Sequence, residues 1–201
     1  MNNKKISIVV PVFNEVNLID NFIAEVNNLE INYELIFSCD PSNDGTEEKL
    51  KEYSRDSDGS IKTIVMSRRF GQHPCIFAGI NSATGDAVVV MDIDGQDPVY
   101  LIPDMIQKWN DGFDVVYGKR VTRLGETFLK KIVSGLGLKF ISKFSKIDIP
   151  TDVGEFRLMD RKIVDIVNST NEANPFLRGI VSYIGFKQGS VEFERQKRKE
   201  A

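Results

Sequence analysis

The chain has 201 residues, of which 41% are hydrophobic and 27% are charged, as is typical of one globular domain with a full hydrophobic core. Its first apolar run is short and ends at Pro11, so the sequence predicts neither a signal peptide nor a membrane span. Its only two cysteines, Cys39 and Cys75, make no disulfide framework and favour a reducing compartment.

The net charge of −3 conceals an uneven distribution of charge along the chain. Residues 1–118 hold 9 basic and 19 acidic side chains, whereas residues 119–146 hold 8 basic and 1 acidic. Residues 147–201 are balanced at 9 and 9. A short, concentrated positive block indicates an anionic partner or surface, although a solvated basic helix face is the common alternative.

Strand and helix patterns alternate through the first 120 residues. The predicted strands are residues 6–13, 33–39, 61–67, 86–92 and 113–120, and the predicted helices are residues 15–28, 43–56, 75–84 and 99–109. This alternation predicts an α/β fold with a mostly parallel sheet and helices on both faces. Because ligands bind beyond the carboxyl ends of parallel strands, the loops that follow the strands are the candidate site.

The region after residue 120 is patterned differently. Residues 124–146 combine apolar residues at helical spacing with five lysines, which predicts a basic amphipathic helix. It either packs on the domain surface or lies on a membrane. A strand leading into a helix (155–167), the segment "PFLRGIVSYIG" (175–185) and a final strand (186–195) follow.

Carboxylates crowd the end of the predicted fourth strand, in "VVVMDIDGQDP". Asp92 and Asp94 are two residues apart and would point to the same side of the strand. Two carboxylates beside a diphosphate suit a hard divalent cation, and Gln96 adds an uncharged ligand. Asp97 precedes a proline and is expected to close the turn.

A second polar loop, "CDPSNDGT", follows the second strand. The Asp40 carboxylate could accept a hydrogen bond from a ring N–H of a nucleotide base. Ser42, Asp44 and Thr46 could equally be turn and helix-capping residues. We expect Cys39 to be a small buried residue and Trp109 to belong to the core.

The motifs "IVVPVFNE", "CDPSNDGT", "SRRFGQHPCIFAGINSATGDAVVVMDIDGQDP", "YGKR" and "VGEFRLMDR" resemble, in order and spacing, those of family 2 glycosyltransferases. The resemblance is greatest to the branch that moves a sugar from a nucleotide sugar to polyprenyl phosphate. It covers nearly the whole chain and implies a GT-A fold, inversion at the anomeric carbon and Mg²⁺ or Mn²⁺. It also implies a catalytic domain at the cytoplasmic membrane face, usually followed by membrane helices.

Particular residues receive roles from this resemblance alone. They are Pro11, Phe13, Glu15, Asp40 and Ser42 at the nucleotide; Asp92, Asp94 and Gln96 at the metal and diphosphate; Asp94, Arg120, Asp152 and Glu155 at the catalytic centre; and Arg123, Lys131 and Arg157 at the acceptor phosphate. Residues 1–120 would bind the donor, residues 121–194 would bind the acceptor and lie near the membrane, and residues 195–201 would form a basic linker. Cys39 and Glu155 depart from the family pattern, which has aspartate at both positions.

The acceptor determines what the acidic residues must do. The acceptor is a phosphate monoester, whose second pKa is about 6, so it arrives largely ionised. Glu155 and Asp152 would therefore orient or electrostatically tune the site rather than abstract a proton. A UDP-sugar is the favoured donor, although Asp40 is compatible with uracil or guanine. The rival hypotheses are transfer to a soluble glycan or protein, a phosphohydrolase and a non-catalytic nucleotide-sugar binding module. No nucleic-acid partner is predicted, and a homo-oligomer is compatible with the sequence.

The basic segment 124–146 generates a test of membrane association. Each basic residue near an anionic bilayer contributes about 1 kcal/mol of attraction, so the chain should sediment with anionic vesicles and much less with neutral ones. Vesicle co-sedimentation measures this difference. Equal and negligible binding to both vesicle types would contradict the membrane assignment.

Overall fold

The computed structural model describes residues 4–121, 153–170 and 176–194. The predicted amphipathic helix 124–146 and the linker 195–201 lie outside the described residues, as do the candidates Arg123, Lys131 and Asp152. None of the helices in the described ranges is long and apolar enough to cross a bilayer.

Strands and helices alternate as predicted. The strands are β1 (Ile6–Val12), β2 (Tyr33–Cys39), β3 (Ile61–Val65), β4 (Ala87–Val90), β5 (Val115–Arg120), β6 (Val153–Asp160) and β7 (Gln188–Phe193). The helices are α1 (Ile19–Asn27), α2 (Thr46–Asp56), α3 (Gln72–Ser82), α4 (Ile102–Asn110), α5 (Arg161–Ser169) and α6 (Leu177–Tyr183), with a 3₁₀ turn (Val99–Leu101) before α4.

All seven described strands form one sheet in the order β3-β2-β1-β4-β6-β5-β7. The β1–β2, β1–β4, β2–β3 and β5–β7 pairs are parallel, which confirms the mostly parallel sheet. Strand β6 runs antiparallel to both β4 and β5, with Val90 opposite Arg157. The start of β6 therefore lies at the same edge of the sheet as the end of β4.

Alternate side chains of the strands enter two apolar layers. One layer packs the sheet against α1 and α4 and includes Phe37 and Trp109, whereas the other packs it against α3, α5 and α6 and includes Val90 and Ile76. Trp109 is buried as expected, and its indole N–H donates to the Asp160 carboxylate at 2.7 Å. Helices therefore cover both faces of the sheet.

A glycine lets α3 approach the sheet closely. A Cβ atom added to Gly79 would lie 2.3 Å from Cγ1 of Val9 and 2.9 Å from Oγ of Ser38. No side chain fits between the helix and β1 at this point, so glycine permits the close packing of α3 on the sheet. Helix α3 begins at Gln72, three residues earlier than predicted, which brings its first turn to the carboxyl edge of the sheet.

Loop geometry also shortens two predicted helices. Helix α1 begins at Ile19 rather than residue 15, after Asn14 adopts a φ of 54°. Helix α2 begins at Thr46 rather than residue 43, because Gly45 has a φ of 93°. The residues that were predicted to be helical at 15–18 and 43–45 therefore belong to the loops after β1 and β2.

The opposite, amino-terminal edge of the sheet is held by a buried carboxylate. Glu34 is fully buried and accepts from Lys62 at 2.7 Å, Lys5 at 3.1 Å, Ser7 at 2.6 Å and the Thr84 N–H at 2.7 Å. Burial alone would raise the pKa of Glu34, but these hydrogen bonds outweigh it and hold the pKa far below its usual range. This network ties β1, β2, β3 and the loop before β4 together away from the candidate site.

Candidate active site

The loops at the carboxyl edge of the sheet surround a cavity of about 360 Å³. Six predicted site residues line it together: Pro11, Phe13, Glu15, Asp40, Asp92 and Asp94. Arg69, Gly71, Gln72 and Cys75 also line it. The other described candidates, Ser42, Gln96, Arg120, Glu155 and Arg157, lie outside this lining. The sheet thus gathers residues 80 positions apart in sequence into one site.

The turn after β4 is organised by its own acidic side chains. Asp97 is buried and accepts the N–H of Asp92 at 3.2 Å, which confirms its expected role in closing the turn. Asp94 accepts the N–H of Gln96 at 3.0 Å, and Asp92 accepts the side-chain amide of Gln72 at 2.7 Å. Asp92 and Asp94 both face the cavity, as their spacing of two residues predicts.

The turn after β4 places several negative charges close together, which is unfavourable in the protein without a bound cation. Burial raises the pKa of Asp92 to about 7, and the charges of Asp97 and Asp94 add to the effect. Burial also raises the pKa of Asp97, with opposition from the Asp92 N–H and from Arg120. Within the described ranges, no three His, Cys, Asp or Glu side chains are grouped to hold a metal ion. The site offers a partial, all-oxygen ligand set with surplus negative charge.

Arg120 lies at the end of β5, beside the acidic turn. Its guanidinium is 3.5 Å from the Asp97 carboxylate, and its side chain is about one-third exposed. A Cβ atom added to Gly154 of β6 would lie 3.0 Å from Nη2 of Arg120, so glycine leaves room for the guanidinium. Arg120 is therefore a cation positioned next to Asp92 and Asp94, where developing negative charge could be offset.

Asp40 has a structural role that the sequence did not reveal. It is nearly fully buried, and its two carboxylate oxygens accept the backbone N–H groups of Phe70 at 3.0 Å and Gly71 at 2.8 Å. Gly71 has a φ of 91°, a conformation that favours glycine. The predicted base contact is thus a residue that also anchors the loop after β3 to the loop after β2.

The alternative hypothesis for Ser42 and Asp44, that they shape turns and caps, is confirmed. Ser42 Oγ accepts the N–H of Asn14 at 3.1 Å and donates to the carbonyl of Asp40 at 2.9 Å. Asp44 accepts the N–H of Thr46 at 3.0 Å and that of Val16 at 3.1 Å. These bonds join the loops after β1 and β2 into one wall of the cavity.

The cavity lining includes three polar side chains that were not predicted as site residues: Arg69, Gln72 and Cys75. The guanidinium of Arg69 lies 4.0 Å from the centre of the Phe13 ring, Gln72 bonds Asp92, and Cys75 is buried in the first turns of α3. Burial raises the pKa of the Cys75 thiol to about 12, so it is not a nucleophile at neutral pH. The only sequence signal for this group was the polar loop "RRFGQHP" after a strand. His73, in the same segment, is exposed.

Arg157 is placed differently from its predicted role at the acceptor phosphate. Its side chain is fully buried, and its guanidinium donates to the carbonyls of Gly154 and Glu155 and, at 3.0 Å, to the Glu155 carboxylate. A second arginine, Arg178, lies 3.3 Å from the other Glu155 oxygen. In the described structure Arg157 therefore binds the Glu155 carboxylate from the interior of the domain and does not face solvent.

Comparison with known proteins identifies the class. The family model described as "Glycosyl transferase family 2" matches residues 7–167, and the chain belongs to that family.

Curated relatives match almost the full chain. An uncharacterized glycosyltransferase, YkcC, of Bacillus subtilis is 46% identical over 96% of this chain and 60% of its own length. A prophage bactoprenol glucosyl transferase homolog of Escherichia coli is 39% identical, over 96% of this chain and 64% of that protein. A bactoprenol glucosyl transferase of Shigella phage SfX is 38% identical, over 96% and 65%. The chain thus spans 60–65% of the length of these relatives.

Solved structures share the fold at low sequence identity. Glucosyl-3-phosphoglycerate synthase from Mycobacterium tuberculosis, crystallised with Mn²⁺, UDP and phosphoglyceric acid, has a TM-score of 0.69 at 16% identity, covering 98% of this chain and 72% of that one. Mannosyltransferase PcManGT from Pyrobaculum calidifontis, in complex with GDP-Man and Mn²⁺, has a TM-score of 0.66 at 14% identity, covering 94% and 55%. These likenesses confirm the GT-A fold.

The raised pKa of Asp92 predicts a pH-dependent cost in the metal-free protein. Asp92 binds its proton more tightly in the folded state than in the unfolded state. Ionisation of Asp92 therefore lowers the stability of the fold, and this loss of stability is absent below pH 4 and complete above pH 7. Asp92→Asn removes that cost and should stabilise the protein in EDTA by about 2 kcal/mol more at pH 8 than at pH 5. Urea unfolding at the two pH values measures the difference.

Asp111→Asn is the matched control, because Asp111 is exposed and lies at the end of α4. Its effect should be the same at both pH values. An Asp92→Asn protein that gains no stability on going from pH 5 to pH 8, relative to wild type, would contradict the electrostatic account of the turn.

Proposed function

We propose that this chain is the catalytic domain of an inverting, metal-dependent hexosyltransferase. It transfers a hexose from a nucleoside diphosphate sugar, with UDP-sugar favoured, to polyprenyl phosphate at the cytoplasmic membrane face. The observation that carries the proposal is the pair Asp92 and Asp94 at the edge of a nucleotide-sized cavity beyond the parallel strands. Two of the relatives named above are bactoprenol glucosyl transferases or a homolog of one, which supports the same acceptor class.

The residues at the β4 turn fit a divalent cation. Asp92 and Asp94 supply hard oxygen ligands, Gln96 adjoins them, and the crowding that raises the pKa of Asp92 would be relieved by positive charge. Mg²⁺ or Mn²⁺ would offset the charge of the leaving diphosphate. The solved neighbours with this fold were crystallised with Mn²⁺ and a nucleotide, which supports the proposal.

The nucleotide would occupy the cavity between the loops that follow β1, β2 and β3. Pro11, Phe13, Glu15, Asp40 and Arg69 line this part of the cavity, and the Arg69 guanidinium lies 4.0 Å from the centre of the Phe13 ring. Because Asp40 holds the Phe70 and Gly71 amides, it would fix the loop against the base as well as accept from it. This lining would set base selectivity through its shape.

The transfer step is a single displacement. An acceptor phosphate oxygen attacks the anomeric carbon, the bond from that carbon to the diphosphate oxygen breaks, and the nucleoside diphosphate leaves with the electron pair. Arg120, held 3.5 Å from Asp97, would stabilise the charge that grows on the leaving group. A phosphate monoester is already ionised near neutral pH, so no side chain has to remove a proton from it.

Glu155 is suited to hold charge in place rather than to act as a base. It lies between Arg157 at 3.0 Å and Arg178 at 3.3 Å, and these two contacts fix the orientation of its carboxylate. Asp152, outside the described residues, remains a candidate for the same tuning role. The basic segment 124–146 would lie on the membrane and guide the lipid phosphate towards Arg120 and Arg123, with Lys131 near that phosphate.

Release of UDP tests the function directly. With UDP-glucose and Mn²⁺ or Mg²⁺, the chain should release UDP several-fold faster when polyprenyl phosphate is present, and EDTA should abolish the release. Asp94→Ala should also abolish it, since it removes a metal ligand. A coupled assay for UDP measures the rate. Stimulation by a soluble sugar acceptor in place of the lipid would instead favour the soluble-acceptor rival.

The substitution Glu155→Gln distinguishes two roles for Glu155, that of a residue that orients the site and that of a general base. Because glutamine keeps the shape and one oxygen acceptor, transfer should fall by about 10- to 100-fold and stay measurable. The product assay is run on Glu155→Gln beside Asp94→Ala, whose transfer is expected to be lost. A loss in Glu155→Gln as complete as that in Asp94→Ala would show that Glu155 is the base.

A further inference from the structure

The start of β6 carries a cluster of charges that the proposed mechanism uses only in part. Arg157 pairs with Val90 across the sheet, and both side chains enter the layer beneath α3 and α6. Glu155 is two residues before Arg157 and Asp92 is two residues after Val90. Since side chains two apart share a face, Glu155 and Asp92 lie on one face at the same edge of the sheet.

The cluster is built around Glu155. One carboxylate oxygen accepts from Nη2 of Arg157 at 3.0 Å and the other from Nη2 of Arg178 at 3.3 Å. Arg157 lies over the ring of Tyr117, with its guanidinium carbon 5.3 Å from the ring centre. Two guanidiniums against one carboxylate leave a net charge of about +1 in a partly desolvated place, where unbalanced charge is costly.

Two donors in this cluster have no hydrogen-bond partner. Nη1 of the fully buried Arg157 and Nε of Arg178 are both buried and bond to nothing within the part of the chain that the structure describes. A buried N–H that stays unpaired costs about 1–3 kcal/mol, and more when it carries charge. An anion beside the cluster would offset this excess positive charge.

Arg178 is the member that an anion can reach. Its side chain keeps 22% of its surface exposed, against none for Arg157. Its partner Glu155 shares a face and an edge of the sheet with Asp92 of the acidic turn. An anion held by Arg178 would therefore lie at the edge of the sheet where the diphosphate is proposed to leave.

We propose that Arg178, oriented by Glu155 and backed by Arg157, binds the phosphate of the acceptor. This rests on the proposed polyprenyl phosphate acceptor and adds a residue to its binding site. A guanidinium matches phosphate with paired N–H donors, and Glu155 holds it in the required direction. Arg178 contacts the substrate, whereas Glu155 and Arg157 are positioning residues.

Acceptor kinetics test this assignment. With geranyl phosphate as a short, soluble polyprenyl phosphate, Arg178→Ala should raise the KM for the acceptor by about 10- to 100-fold and leave the KM for UDP-glucose within twofold. Arg178→Lys keeps the charge but not the paired donors, so its KM for the acceptor should lie between those of the wild type and of Arg178→Ala. Arg55→Ala, at an exposed position on α2, is the control and should match wild type.

Thermal shift supplies a readout independent of turnover. Geranyl phosphate should raise the Tm of the wild type and of Arg55→Ala but not of Arg178→Ala, whereas UDP with Mn²⁺ should raise the Tm of all three. Inorganic phosphate, run in parallel, shows whether the site needs the prenyl chain, because only the ester should act at micromolar concentration. If Arg178→Ala does not fold, Arg178→Lys gives the same comparison.

The outcomes separate this inference from the proposed function. Unchanged acceptor KM and unchanged geranyl phosphate shift in both Arg178 variants overturn the assignment while leaving the transferase intact. An equal loss of UDP binding and acceptor binding also overturns it, because Arg178 would then belong to the donor site. If UDP and Mn²⁺ do not bind to wild type, the proposed function fails, and an Arg178-dependent shift with geranyl phosphate still supports the anion site.

Discussion

Ionised carboxylates crowded at the end of a buried strand are the constraint on which the site depends. Strand β4 lies in the middle of the sheet, with β1 on one side and β6 on the other. The chain therefore emerges at the carboxyl edge with Asp92 and Asp97 in poorly solvated positions. Asp97 is stabilised by an amide and by Arg120, whereas the pKa of Asp92 is raised to about 7. Added positive charge would relieve this crowding, and the surrounding loops leave room for a ligand that brings it.

The donor side of the cavity is organised by hydrogen bonds among loops. Asp40 holds the loop after β3, Ser42 holds the loop after β1, and Thr46 accepts the N–H of Glu15 at 2.9 Å. These three residues lie between β2 and the first residue of α2, and their partners lie in the loops after β1 and β3, so the loop after β2 limits the freedom of the other two. A cavity built in this way is largely formed before its ligand arrives, which lowers the entropic cost of binding.

The charges are arranged differently at the side that is proposed to bind the acceptor. Its charges come from the antiparallel strand β6 and from α6, and cations outnumber anions among Arg157, Arg178 and Glu155. The two sides of the edge therefore differ in sign: surplus carboxylate at β4 and surplus guanidinium at β6. Such a pairing suits a reaction between two phosphate-bearing substrates, one of which also brings a cation. Arg120 and Gly154, in close contact, mark the boundary between the two sides.

Local pattern determined much of this protein. The run Val88–Met91, the two-residue spacing of Asp92 and Asp94, and the alternation of strands with helices were enough to predict the sheet and the acidic turn, because burial and side-chain period are local properties. Tertiary structure alone decided that β6 runs antiparallel, that Arg157 is buried, that Asp40 anchors a loop, that Arg69 lines the cavity and that Arg178 pairs with Glu155. Those outcomes depend on which strands become neighbours, and contacts between residues far apart in sequence leave no periodic signal in the chain.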